Sequence, residues 1–254
     1  MESVPVYRFW QFGTTVRYLQ DIQAEYAIHG SGNVLHNIKA LFARLEELNL
    51  RVTIRAAYEL QAFQTELGAL LQDAKVTQAQ AQKLNRLIHA LRQTLEAELK
   101  GINAYTISPK RLDVEKLTSD VASLFAPDVY QSLTPLAQYD LSEAARCIAF
   151  ERPTAGAFHL MRATEEVLRG YYCHYVRRDR ISPMLWYPMV QALQQHRKAK
   201  ANDTLHRQLD NIRVSFRNPT QHPDKVYDIH EVQDLFGLCV DSINRMRRLC
   251  NGEA

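Results

Sequence analysis

The stretch Thr77-Gln-Ala-Gln-Ala-Gln-Lys-Leu-Asn-Arg-Leu-Ile-His-Ala-Leu-Arg-Gln-Thr-Leu-Glu-Ala-Glu-Leu99 puts Leu or Ile at 84, 87, 88, 91, 95 and 99. These three- and four-residue steps describe one face of a long amphipathic helix. Thr77 and Gln80 have the spacing of a capping box at its start, and Gly101 stands where a left-handed C-terminal residue is expected. Upstream, Leu60, Phe63, Leu67 and Leu70 form a second stripe, and Leu35, Ile38, Leu41, Phe42, Leu45 and Leu48 a third. Only a tight antiparallel connection fits between a helix ending near Asp73 and one starting near Thr77. A further helix is expected over 14–28, on Val16, Leu19, Ile22 and Ala27, and His29-Gly-Ser-Gly-Asn33 should stop it. Gly30 and Gly32 read as a turn. They have neither the preceding strand nor the Lys-Ser/Thr sequel of a phosphate cradle.

Composition agrees with an all-α chain. Of 254 residues, 46% are hydrophobic and 23% charged, which is ordinary globular usage, and only 9 Gly and 9 Pro argue against a turn-rich β sandwich. The formal charge of +3 is too mild to point to nucleic acid by itself, although the whole excess of basic residues lies after Val129. Cys147, Cys173, Cys239 and Cys250 are far apart and form no C-x-x-C pair, so a zinc ribbon or redox dithiol is not indicated and a reduced, cytoplasmic setting is expected. No run of 18 apolar residues occurs, and the first ten residues lack a basic segment followed by an apolar run. The reading is a soluble chain without a membrane partner.

Ile102 to Pro109 is rich in β-branched and aromatic residues and reads as an extended connector, followed by a short helix from Asp113 to Phe125. Pro127 and Pro135 bracket the expected boundary between an amino-terminal helical bundle, 1–126, and a second helical domain, 127–254. In the second half, Asp140 or Ser142 is positioned to cap a helix running to Phe150, with Leu141, Ala144, Ala145 and Ile148 inward. Further helices are expected over 155–176, 187–198, 203–216 and 228–249.

Phe216-Arg-Asn-Pro-Thr-Gln-His222 carries the residues with most chemical potential. Pro219 cannot donate to Ser215, and Asn218, preceding Pro, is biased out of the α region. The helix is therefore expected to end near Arg217 and the chain to turn back, which lets Arg217 and His222 converge. The same spacing at Arg169 and His174 falls inside a continuous helix, where five steps leave the side chains about 140° apart.

Arg217-Asn-Pro-Thr-Gln-His222 resembles the R-x4-6-H signature of HEPN domains, with the polar residue that commonly follows the Arg. Leu141-Ser-Glu-Ala-Ala-Arg-Cys-Ile-Ala-Phe-Glu-Arg-Pro-Thr-Ala-Gly-Ala-Phe-His-Leu-Met-Arg-Ala-Thr-Glu-Glu-Val-Leu-Arg169 resembles the paired first helices of one bacterial HEPN-like group. Asp234-Leu-Phe-Gly-Leu-Cys-Val240 resembles its last helix, and Ser108-Pro-Lys-Arg111 its connector. The resemblance implies a HEPN-like helical bundle that dimerises. In many members it implies a metal-independent endoribonuclease of toxin or anti-phage defence systems, acting on RNA, with an antitoxin or defence partner, and without a cofactor. Other members are non-catalytic binding or dimerisation modules. One toxin branch has a Tyr two residues after the motif His; position 224 here is Asp.

Carried onto this chain, Arg217 is the phosphate-binding cation, His222 the acid or base, and Asn218 the residue that orients the His or meets a phosphate oxygen. His titrates near neutral pH and Arg offers a permanent donor fork, so the types suit cleavage by an adjacent 2′-hydroxyl. Arg177, Arg178, Arg180, Arg197, Lys198 and Lys200 form two basic clusters able to meet an RNA backbone, while equally complementing helix C-termini. Arg217 has the alternative of pairing with Asp210 or Asp224. Glu165, Glu166 and Arg162 read as a solvated face, and His159 and His174 as core or boundary histidines. His222, Asp224, His230 and Glu231 have no recognised metal spacing, and no metal is expected.

Overall fold

The computed structural model describes residues 4–176, 183–221 and 225–252. Two compact units divide at Tyr105 and Thr106. Among the described residues the regular structure is helical, apart from one isolated antiparallel bridge between Ala27 and Lys75.

The first unit contains α1 (Val6–Gln20), α2 (Val34–Glu47), α3 (Arg51–Ala56), α4 (Tyr58–Gly68) and α5 (Gln78–Leu99). The first helix is displaced from the expected 14–28. Leu19 and Ile22 are buried as the stripe predicts, but Ala27, its next position, is exposed, and the backbone after α1 pairs across space instead. Glu25 takes a left-handed φ of 71°, its N–H donates to the Val76 carbonyl at 2.9 Å, and the Val76 N–H donates to the Tyr26 carbonyl at 2.8 Å. Tertiary pairing here overrides local periodicity. Gly30 and Gly32 form the expected turn, with φ of 104° and 77° that only glycine adopts readily.

The box at the head of α5 is formed from both sides: the Gln80 N–H donates to Thr77 Oγ1 at 3.2 Å, and the Thr77 N–H to Gln80 Oε1 at 2.9 Å. At the other end, Lys100 stays right-handed and Gly101 is not left-handed as expected; a tight turn closes the helix, with the Gly101 and Ile102 N–H groups donating to the Glu98 and Leu99 carbonyls at 3.1 and 3.0 Å. The short α3 shows no period in the sequence, and its start is completed by a residue remote along the chain. Glu98 on α5 accepts from the Val52 and Thr53 N–H groups at 3.0 and 2.8 Å and from Thr53 Oγ1 at 2.6 Å. Desolvation opposes ionisation of Glu98, but the hydroxyl and two amide donors outweigh it and hold the carboxyl below its ordinary range. Apart from Leu70, which lies beyond the end of α4 and is exposed, the apolar positions of the three stripes, Ile38, Leu41, Leu45, Phe63, Leu67, Leu84 and Ile88 among them, meet in one core. Each such side chain contributes about 1.5–3 kcal/mol by burial.

The second unit starts with an extended connector and α6 (Val114–Ser119). Asp113 caps α6 by accepting from the Glu115 and Lys116 N–H groups at 2.8 and 3.3 Å. The expected helix to Phe125 breaks at Asp120, whose φ of −142° is not helical, and resumes as a single tight turn, Val121–Leu124. Leu117, Val121 and Phe125 are buried in the second core, so the expected boundary at 126/127 falls inside this unit.

Thr134 caps α7 (Pro135–Ala149), with Pro135 in its first turn where a missing N–H costs nothing. Asp140 and Ser142 therefore lie within the helix, not at its start as expected. α8 (Pro153–Tyr175) packs along α7 and also against α12 (Ile229–Asn251). Ala144, Ala145 and Ala157 are buried at the close approach, and a Cβ on Gly156 would lie 3.3 Å from Val232 Cγ2 and 3.4 Å from Cys147 Cβ. Small residues here let two helices meet. Asp228 and Glu231 form the capping box of α12, and Gly252 ends it with a φ of 81°. α9 (Trp186–Gln195) and α10 (Asp203–Ile212) complete this side, joined by the Trp186 indole N–H donating to the Leu209 carbonyl at 3.1 Å. No helix among the described residues is long and apolar enough to cross a membrane.

His206 on α10 is wholly buried; its Nε2 lies 3.4 Å from the Tyr171 hydroxyl, and its Nδ1 has no hydrogen-bond partner among the described residues. Desolvation lowers its pKa, with Asp203 opposing. The unfolded chain then binds the proton more readily than the folded one, so stability is fullest above the unfolded value of about 6.5 and falls as pH drops below it. Urea midpoints measured from pH 7.5 down to 5 should decline, and His206→Gln should flatten that decline. An unchanged slope would assign the pH dependence to other groups.

Candidate functional site

The residues Asp203 to Gln221 are helical without a break, but not as one α-helix. After α10, Arg213–Arg217 form a π-helical turn, and α11 (Asn218–Gln221) follows. The Asn218 N–H reaches the Arg213 carbonyl, a five-residue step. Pro219 explains the local widening: an α-helical register would press its ring on the Ser215 carbonyl, and its missing N–H removes the bond that would hold that register. The Phe216 carbonyl is satisfied by side chains, with Thr220 Oγ1 donating at 2.6 Å and the Tyr227 hydroxyl at 3.0 Å. Phe216 and Tyr227 also stack, with ring centroids 6.3 Å apart.

This overturns the expected end of the helix near Arg217. Asn218 has φ −64° and ψ −51°, within the α region from which Pro219 was expected to exclude it. The π turn relieves the clash by changing register rather than by reversing the chain. His222, Asp224, Arg177, Arg178 and Arg180 lie outside the described residues. Arg197, Lys198 and Lys200 are exposed, around the end of α9 and a short 3-10 turn, Ala199–Asn202.

Arg217 is held inward. Its Nη2 lies 3.6 Å from Glu165 Oε2 on α8, with the two side chains 21% and 14% exposed. Its Nε is buried without a hydrogen-bond partner. Glu165 is shared, since Arg169 Nη2 donates to its Oε1 at 3.2 Å. Asp210, an expected partner of Arg217, is occupied by Arg213 at 2.7 Å. The guanidinium is thus anchored at one terminal nitrogen while donor capacity remains. The π turn also borders a cleft of about 570 Å³, lined by Asp203, Arg207, Gln208, Asn211, Ser215 and Phe216 among others.

A second cluster joins α7 and α8. Asp140 on α7 is 1% exposed, and both its oxygens are engaged: His159 Nδ1 lies 2.8 Å from Oδ1, and Arg162 Nε lies 3.2 Å from Oδ2. His159 is therefore more than a boundary histidine, and Arg162 more than part of a solvated face. The signal available in the sequence was the step of four from Asp140 to Ala144, which places a carboxylate on the inward stripe of α7 where it requires a partner. Among the described residues no group of His, Cys, Asp and Glu is arranged to hold a metal ion.

Comparison with protein-family models, curated proteins and solved structures gave no match.

Proposed function

We propose that this chain is a HEPN-type, metal-independent endoribonuclease that acts as a homodimer, as a cytoplasmic toxin or anti-phage defence effector with a cognate antitoxin or defence partner. The observation that carries the reading is Arg217, a cation fixed through Glu165 on a π-helical turn with a buried, unpartnered Nε. π turns of this kind recur at functional sites, because they re-aim a side chain that a regular helix would point elsewhere. The resemblance of Arg217-Asn-Pro-Thr-Gln-His222 to the HEPN signature supports the same assignment.

In the proposed reaction the RNA's own 2′-hydroxyl attacks phosphorus and gives its proton to a base. The bond from phosphorus to the 5′ oxygen breaks, and an acid protonates that oxygen. The products are a 2′,3′-cyclic phosphate and a 5′-hydroxyl. Arg217 neutralises the charge gathering on the non-bridging oxygens, His222 transfers a proton, and Asn218 orients the His or meets a phosphate oxygen. A two-fold dimer supplies a second His222, so that acid and base need not be one residue.

The test is incubation of the purified protein with single-stranded RNA in EDTA. Cleavage should persist, and the fragments should end in 2′,3′-cyclic phosphate, because no metal-bound water acts as nucleophile. A strict requirement for added divalent cations would defeat the mechanism. One observation favours a second reading: the Arg217–Glu165 pair also suits a non-catalytic HEPN-like RNA-binding or dimerisation module, in which Arg217 ties the π turn to α8. Absence of cleavage with retained RNA binding would select it.

A further inference from the structure

We propose that Asp140, His159 and Arg162, with the rings of Tyr139 and Phe158, form a binding site for a nucleotide unit of single-stranded RNA, separate from the Arg217 turn. The inference rests on RNA being the ligand of this protein, but not on Arg217 cleaving it.

Asp140 is the organising group. Removing a carboxylate from water is costly, and an apolar residue of similar size would fill this position on the inward face of α7 at lower cost. Instead Asp140 fixes two cationic or cation-capable side chains through their inner nitrogens, Nδ1 of His159 and Nε of Arg162. Nε2 of the imidazole and the terminal fork of the guanidinium are left for a ligand, and Arg162 is 47% exposed. A planar donor fork beside an imidazole nitrogen suits a phosphate and the sugar oxygen next to it.

The flanking surface matches the rest of a nucleotide. Phe158 is 44% and Tyr139 58% exposed, and both meet the His159 imidazole edge to face, with centroids 6.2 and 6.5 Å away. The Arg162 guanidinium lies 6.0 Å from the Phe158 ring centroid. Exposed rings beside fixed cations are the arrangement on which bases of a single strand stack while the backbone follows the charge. The neighbouring acids do not oppose an anion strongly: Glu165 and Glu166 face Arg169 at 3.2 and 3.8 Å, and Glu143 faces Arg146 at 2.7 Å.

The experiment measures fluorescence anisotropy of a labelled 2′-O-methyl oligoribonucleotide, which cannot be cleaved by 2′-hydroxyl attack, with adenosine 3′-monophosphate as competitor. Arg162→Ala and Phe158→Ala should each weaken binding by roughly tenfold or more; Phe158→Ala should keep a melting temperature near wild type, whereas Arg162→Ala should lower it, because Asp140 Oδ2 loses its partner, with the fold checked by circular dichroism. The His159 ring-proton resonance, assigned by its loss in His159→Gln, should shift when the mononucleotide is added. Affinities unchanged in both variants would overturn the inference and leave the Arg217 reading standing. If the variants split a dimer seen by light scattering while affinity per chain is unchanged, the surface is an interface between copies and the inference fails. Loss of binding in these variants together with absence of any cleavage by wild type would uphold the site and remove the nuclease reading.

Discussion

If the proposed nuclease reading holds, Arg217→Ala and His222→Ala should each reduce RNA cleavage by about a hundredfold or more, the expected loss when one charge-stabilising donor or one general acid–base is removed. The fold should survive the Arg217 change. Glu165 keeps Arg169 at 3.2 Å, so its carboxylate is not left alone, and the cost should stay below about 2 kcal/mol. Arg217→Lys is not expected to restore activity, since a point charge on a flexible stem replaces neither the planar fork nor the anchored geometry. Initial rates on a labelled RNA, read beside far-ultraviolet circular dichroism and melting temperature, check this. Rates within about threefold of wild type in both alanine variants would place the chemistry elsewhere.

The long stripes were legible because their period is local. Thr77, Gln80 and the leucines of α5 act on neighbours within one or two turns, and the capping box forms as the sequence implies. The displaced first helix shows the limit. Leu19 and Ile22 are buried one turn apart, but the backbone from Glu25 to Ile28 bonds to Ala74 and Val76, far along the chain. Likewise α3 needs Glu98 for its first turn, and a six-residue helix has too few positions to show a period. Pro127 and Pro135 suggested a boundary at 126/127, while the burial of Leu117, Val121 and Phe125 in the second core decides the packing.

The candidate site was legible at the level of residue types and less so in geometry. Pro219 marked a disturbance after Arg217, but the rules for Pro in an α-helix do not choose between ending a helix and widening it. The choice is made by partners outside the segment, Tyr227 and Glu165, which hold the Phe216 carbonyl and the Arg217 guanidinium. The Asp140 cluster joins two helices, so no single stretch displays it. Asp140 read alone looks like a cap, and only Thr134 and Pro135, starting α7 earlier, turn it inward.

If the π turn aims Arg217, then Pro219→Ala should separate stability from activity. Alanine restores an N–H and removes the ring that a regular α-helix would drive into the Ser215 carbonyl, so the α register becomes accessible over 213–221. Helix propensity then favours the variant by up to about 3 kcal/mol, or roughly 6–12 °C in melting temperature, less what the freer unfolded chain takes back. A change from π to α register turns the residues at the end of the π turn, Arg217 included, and all that follow around the helix axis relative to α10, which moves the Arg217 side chain away from Glu165. Cleavage should fall by about a hundredfold, the scale expected when a reacting group is displaced by an ångström or more. Thr220 and Tyr227 resist this, since both hold the Phe216 carbonyl, and Tyr227→Phe combined with Pro219→Ala should deepen the loss. Activity equal to wild type in the double variant, with the Arg217–Glu165 pair retained in its structure, would show that the π turn does not set the position of Arg217.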